Sequence, residues 1–175
     1  GEILPFLLDT TVQNIGKTFQ VPLHLNWRPK DLLRLISKRL YFHLEMNKLK
    51  LGEKVGKNGV IKNWNDYQKI KSTVWDKYFP ETIVNKAGVE EDTFQYIVRH
   101  SQLRPRQLIW ICNEIANESF KDQKFPYIEP KHVVRGISQI EDFLALEVIN
   151  SFSKIYPNAR NILACFKGIN NYIER

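Results

Sequence analysis

The sequence predicts a mainly α fold, a helical bundle of five or six helices with a short N-terminal β remnant. Three observations carry this expectation. Apolar residues recur at helical spacing in three stretches: Leu32, Leu33, Ile36, Leu40 and His43/Leu44; Leu108, Ile111, Cys112, Ile115 and Ser119; and Val133, Ile137, Ile140, Leu144, Val148, Phe152 and Ile155. A proline opens each stretch (Pro29, Pro105, Pro130), and its fixed φ and missing N–H suit the first helical position. Strand-like pattern is confined to "EILPFLL" at 2–8 and "QVPLHL" at 20–25.

Taken in order, residues 2–8 read as an apolar strand in which Pro5 needs an edge or bulge position, and 20–25 as a second short extended piece. The first helix starts at Pro29. Residues 47–60, "NKLKLGEKVGKNGV", are basic and glycine-bearing, and read as an exposed loop or a hairpin turned at Lys57-Asn58-Gly59. The aromatic stretch from Ile61 to Tyr78 reads as a helix that Pro80 ends. A short helix is expected over 90–102, with Glu90, Glu91 and Asp92 on its first turn, where negative charge suits the helix dipole. It meets the helix from Pro105 in a tight turn. Residues 117–128 read as a polar loop, the long helix from Pro130 closes at Tyr156-Pro157, and a last helix runs from about Ala159 to Lys167, stopped by Gly168.

Apolar residues make up 43% and charged residues 26% of the 175, a composition that folds and excludes wholesale disorder. Twenty-six Lys and Arg against 19 Asp and Glu leave a net charge of +7, which favours phosphate-rich or acidic partners without requiring them. Cys112 and Cys165 lie in apolar helical patterns without zinc or disulfide spacing, so both are expected to be reduced core residues. The longest apolar run, "FLALEVI", is interrupted by Glu147 and too short for a bilayer, so no membrane association and a cytoplasmic location are expected. The opening "GEILPFLL" lacks Met, which suggests a chain cut from something longer.

Few motifs carry chemistry. "GEKVGKNGV" at 52–60 is not a phosphate loop, because three residues rather than four separate Gly52 from Gly56 and Asn58 follows Lys57 where Ser or Thr is needed. Asp9-Thr10 after an apolar strand reads as a helix cap in preference to a metal-water ligand. His24, His43, His100 and His132 show no ligand spacing, so no metal is expected, and no catalytic triad is visible. Lys30, Arg34 and Lys38 advance by four residues along one helix face; with Lys48, Lys50, Lys54 and Lys57 in the following loop they form the candidate nucleic-acid surface. A solvated face is the commoner explanation of the stripe. The stretch "LRPRQLIWICNEIA" at 103–116 is the most pointed. Arg beside a helix start is unfavourable unless an anion completes the site, and a guanidinium there can meet phosphate oxygens together with the free N–H groups. Pairing of Arg104 and Arg106 with Glu90, Glu91 or Asp92 is the structural alternative.

The combination of "YIVRHSQLRPRQLIWICNEIANES", a long helix and "YPNARNILACFKG" resembles the C-terminal helical part of bacterial P-loop ATPases related to the STAND and KAP groups of the AAA+-like superclass. In "FLLDT" followed by "WRPKDLLRLISKRL", Trp27, Leu32, Leu35, Ile36, Arg39 and Leu40 match that family's strand-then-helix phrase in order, and Leu8 stands where the family has Arg. The resemblance implies that residues 1–26 end a truncated α/β NTPase core and that 27–175 form a helical lid. It implies that Arg106, with Arg104 beside it, contacts the nucleotide, and that Asn113 is a structural member of the same phrase. ATP and Mg are then expected in the full-length parent, bound by an upstream P-loop domain of the same chain, and none in this portion, which holds no catalytic residue and should not hydrolyse ATP alone. The leading expectation is therefore a nucleotide-sensing lid that couples hydrolysis to conformational change. The rivals are a basic helical nucleic-acid-binding module and a protein-interaction or homo-oligomerisation module without nucleotide contact.

Overall fold

A computed structural model of the chain describes residues 26–47, 63–153 and 155–165. The expected N-terminal strand pieces, the basic loop at 48–60 and Gly168 lie outside those residues. What is described is mainly helical, with six helices and one two-stranded antiparallel sheet. Helix α1 is Pro29–Met46, with Pro29 in its first turn and Arg28 as its extended cap residue. Helix α2 starts later than its periodicity suggests: Asn63 to Asp66 form a turn, and the Asp66 side chain accepts from Lys69 N at 3.1 Å to cap Tyr67–Ile70. It continues through a π-helical turn, Lys71–Trp75, to Asp76–Tyr78. The wider turn brings Trp75 inward, stacked on Phe79 at 3.9 Å and edge-on to Phe94.

Two strands follow that the sequence reading missed. β1 (Thr82–Val84) pairs antiparallel with β2 (Glu90–Asp92), so the three acids expected in a helical first turn form a strand instead. The reason is local. The Asn85 side chain accepts from the backbone of Ala87 at 2.9 Å and Val89 at 3.0 Å, and Gly88 takes φ +79°, closing a turn that no helix allows. Ile83 then anchors the hairpin in the core. Asp92 keeps one helical duty: its side chain accepts from Gln95 N at 2.8 Å and caps α3, Thr93–Ser101.

Gln102 and Leu103, both left-handed, make the expected tight turn into α4, Pro105–Lys121. The expected loop at 117–128 starts five residues late, because Glu118 and Ser119 turn inward and extend the helix, with Ser119 Oγ donating to Tyr127 O at 2.7 Å. Helix α5, Pro130–Phe152, is the long one, and α6 is Ala159–Ala164. All helices but α6 share a single core. Leu32, Leu33, Leu108, Ile111, Ile115, Val133 and Ile137 are sealed from solvent, as the periodicity required, whereas Val148 and Phe152 are half-covered and Ile155 is exposed. Cys112 is buried as expected, but Cys165 is exposed, since α6 buries none of its residues.

Helices α4 and α5 pack backbone to backbone at Gly136. A Cβ at Gly136 would lie 2.7 Å from the Ile115 backbone. Across the loop before α5, buried His132 accepts from Glu129 N at 2.9 Å through Nδ1, completing a capping box, and its Nε2 lies 3.1 Å from Asp122. Asp122 is also held by Lys131 at 2.7 Å.

Candidate functional site

The start of α4 has the geometry that the Arg-Pro-Arg phrase demands. Arg104 is the extended residue before the helix, Pro105 occupies the first helical position, and Arg106 follows in the first turn. The Arg106 guanidinium lies over the Trp110 ring at 4.4 Å, one turn further on, and Nη1 is 3.8 Å from Glu147 of α5. Three quarters of its side chain is exposed. The Glu147 carboxylate also accepts from Gln107 Nε2 at 3.0 Å, which leaves the buried Gln107 Oε1 without a hydrogen-bond partner. The alternative pairing fails for Arg106: Glu91 is taken by Arg99 at 2.9 and 3.0 Å and Glu90 accepts from Thr82, while Arg106 turns to α5.

Around Arg106 the surface is apolar. Trp110 meets Phe143 edge-on at 4.8 Å, and Phe143 and Leu146 are 49% and 40% exposed. Together with Glu147, Asn150 and Ser151 they enclose an open hollow of about 340 Å³. Sequence reading singled out Arg106 and missed Trp110, although four residues of helical spacing put the two on one face; Phe143 and Glu147 come from a helix 40 residues away and needed the fold.

The basic stripe of α1 does share one face, but that face looks onto the start of α2. Lys30 Nζ sits 5.5 Å above the Tyr67 ring, and Lys38 Nζ is 5.7 Å from the Trp64 ring and 6.0 Å from Phe42. Arg34 reaches Asp31 at 3.1 Å and donates to Asn65 O at 3.0 Å. Its three described members thus brace the joint between two helices. Lys48, Lys50, Lys54 and Lys57 lie outside the described residues.

Among known proteins, the sequence model of the FunZ-associated C-terminal helical domain family matches residues 30–145, from the first turn of α1 to the middle of α5. The chain belongs to this family. No curated protein and no solved structure matches it. The FunZ-associated domain thus includes Arg106, Trp110 and Phe143, and its match ends just before Leu146 and Glu147. Among the described residues no helix is long and apolar enough to cross a membrane, and no cluster of His, Cys, Asp and Glu is arranged to hold a metal ion.

Proposed function

We propose that this domain is an accessory module that docks onto the rest of a larger protein through the α4–α5 face centred on Arg106. The observation that carries the reading is an exposed guanidinium placed over the Trp110 ring and bordered by exposed Phe143 and Leu146. Arg and aromatic residues dominate binding energy in interfaces, and the aromatic support holds the guanidinium ready without further ordering cost. A family described as associated and C-terminal supports an accessory role.

A second reading makes Arg106 the sensor of a nucleotide held by an upstream P-loop domain. Its position favours this: a first-turn Arg adds its donors to the free N–H groups of the helix start. Glu147, 3.8 Å away, opposes it, because a phosphate would first have to displace that carboxylate. Docking is therefore preferred. ATP and Mg would in either case be bound outside this domain. The braced α1 stripe is the reason nucleic acid ranks below both.

The full-length parent separates the readings. Under docking, Trp110→Ala and Arg106→Ala each loosen the domain, read as faster proteolysis ahead of α1 and lost amide protection on α4 and α5; unchanged protection removes this reading. If Arg106 senses nucleotide, Arg106→Ala alone lowers hydrolysis by roughly tenfold to a thousandfold while Trp110→Ala leaves it intact. Leu108→Ala serves as the structural control, costing about 2–5 kcal/mol by emptying a sealed core site.

A further inference from the structure

Among the described residues the β1–β2 hairpin has two free edges, and the two are defended differently. β2 reads Glu-Glu-Asp, and charges along an edge deter further pairing. β1 reads Thr-Ile-Val and carries no charge. Pairing alternates along the ladder. Thr93 N donates to Glu81 O at 3.0 Å and Asn85 N to Val89 O at 2.9 Å, so Glu81, Ile83 and Asn85 direct their backbone groups at β2. Thr82 and Val84 therefore turn their N–H and C=O groups outward. Two such residues, about 6.7 Å apart, form the repeat that an added strand needs.

Beside that edge runs an apolar groove. Thr82, Ile83 and Val84 line it together with Pro130, Lys131 and Val134 of α5, enclosing about 420 Å³. Consecutive side chains of a strand point to opposite faces, so a wall made of three successive residues is the backbone edge itself. The occupant's charge can also be read. Residues 81–92 carry Glu81, Glu90, Glu91 and Asp92 against Lys86 alone, in a chain of net charge +7. Lys131 on the opposite wall is held by Asp122 at 2.7 Å and Glu129 at 3.1 Å, which offsets its charge and leaves the acids of the hairpin to set the sign.

We propose that β1 accepts an extended peptide as a third strand, laid between β1 and the start of α5, with apolar residues at alternate positions and basic residues flanking them. Main-chain hydrogen bonds to Thr82 and Val84 supply affinity; the groove wall at Val134 selects the apolar side chains. This surface is separate from the Arg106 face and does not depend on its role.

The test uses the 175-residue chain and a labelled heptapeptide of alternating Val and Thr flanked by lysines. Anisotropy should show binding, and amide exchange of Thr82 and Val84, fast in the free protein, should slow at least tenfold while Ile83 stays protected throughout. A peptide N-methylated at the residues facing β1, or one with Glu flanks, should bind at least tenfold more weakly. Thr82→Pro removes an outward N–H that the hairpin does not use, and Val134→Glu fills the groove from the helix side; either should abolish binding with the fold retained. No binding at millimolar peptide overturns the proposal, as does binding with Thr82 and Val84 amides unchanged or equal affinity of the N-methylated peptide. Peptide-independent dimerisation through this edge would also overturn it, since a second copy would then be the occupant.

Discussion

The two cysteines show how far a side chain's chemistry departs from its sequence context. Cys112 and Cys165 occupy similar apolar patterns, yet Cys112 is wholly enclosed by α4's neighbours and burial pushes its thiol up to about 12. A thiol kept protonated is unreactive. Cys165 stands at the open end of α6, donating weakly to Asn161 O at 3.3 Å. We therefore expect a thiol reagent at neutral pH to modify Cys165 rapidly and Cys112 only on unfolding, read as one equivalent in the native chain and two in denaturant. Two fast equivalents in the native state would mean that α4 opens readily. Arg106 teaches the converse. Its place in the first turn was legible from Pro105, but its partners were not: Trp110 is a helical neighbour four residues on, whereas Glu147 is supplied by another helix.

Among the elements, the α4–α5 pair decides the packing. Gly136 in mid-helix costs about 1 kcal/mol relative to Ala through backbone entropy alone, so Gly136→Ala would stabilise an isolated helix. Here the sign reverses. The added methyl would lie 2.7 Å from the Ile115 backbone and 2.9 Å from its side chain, and backbone cannot swing aside. Forcing the helices apart should cost about 1–3 kcal/mol net, with α4 and α5 losing protection together. A rise in the denaturation midpoint would show that the helices can separate cheaply. The hairpin is the element that sequence reading misjudged. "EED" is a good helix start by charge and also a good guarded strand edge, and the choice fell to the Asn85–Gly88 turn and the burial of Ile83, both several residues upstream.

At the level of the whole molecule, acid should weaken the fold in two stages. Burial holds the His100 imidazole below its ordinary pKa of 6.5, with Glu141, Glu91, Arg99 and Lys86 as the charges around it. The unfolded chain therefore takes up this proton first, and stability falls as pH drops through 6.5 and below. Asp122 is the other case. Hydrogen bonds from Lys131 first, then His132, lower its pKa from 3.8 to about 2, so its contribution is complete above 3.8 and lost as pH falls toward 2. Melting temperature against pH should show both declines. His100→Leu should remove the first and spare the second, and a profile flat from pH 7 to 4 in the unaltered chain would contradict the desolvation of half-buried His100. Helices α1 to α5 share one core, so the two stages report on a single cooperative unit.

By itself the sequence determined the helical class, the helix starts at Pro29, Pro105 and Pro130, and most of the inward-facing apolar residues of α1, α4 and the first half of α5, because these follow from the 3.6-residue period and from proline's fixed φ. It also placed Arg106 on the first turn of α4. Tertiary structure alone decided what surrounds that arginine, which basic residues brace α1 against α2, and that three acids form a strand with an uncharged partner whose outer edge is open among the described residues. The physical reason is range. Periodicity and caps are settled within one or two turns of chain, whereas ion pairs, ring contacts and strand edges depend on residues 8 to 40 positions apart that meet only when the core closes.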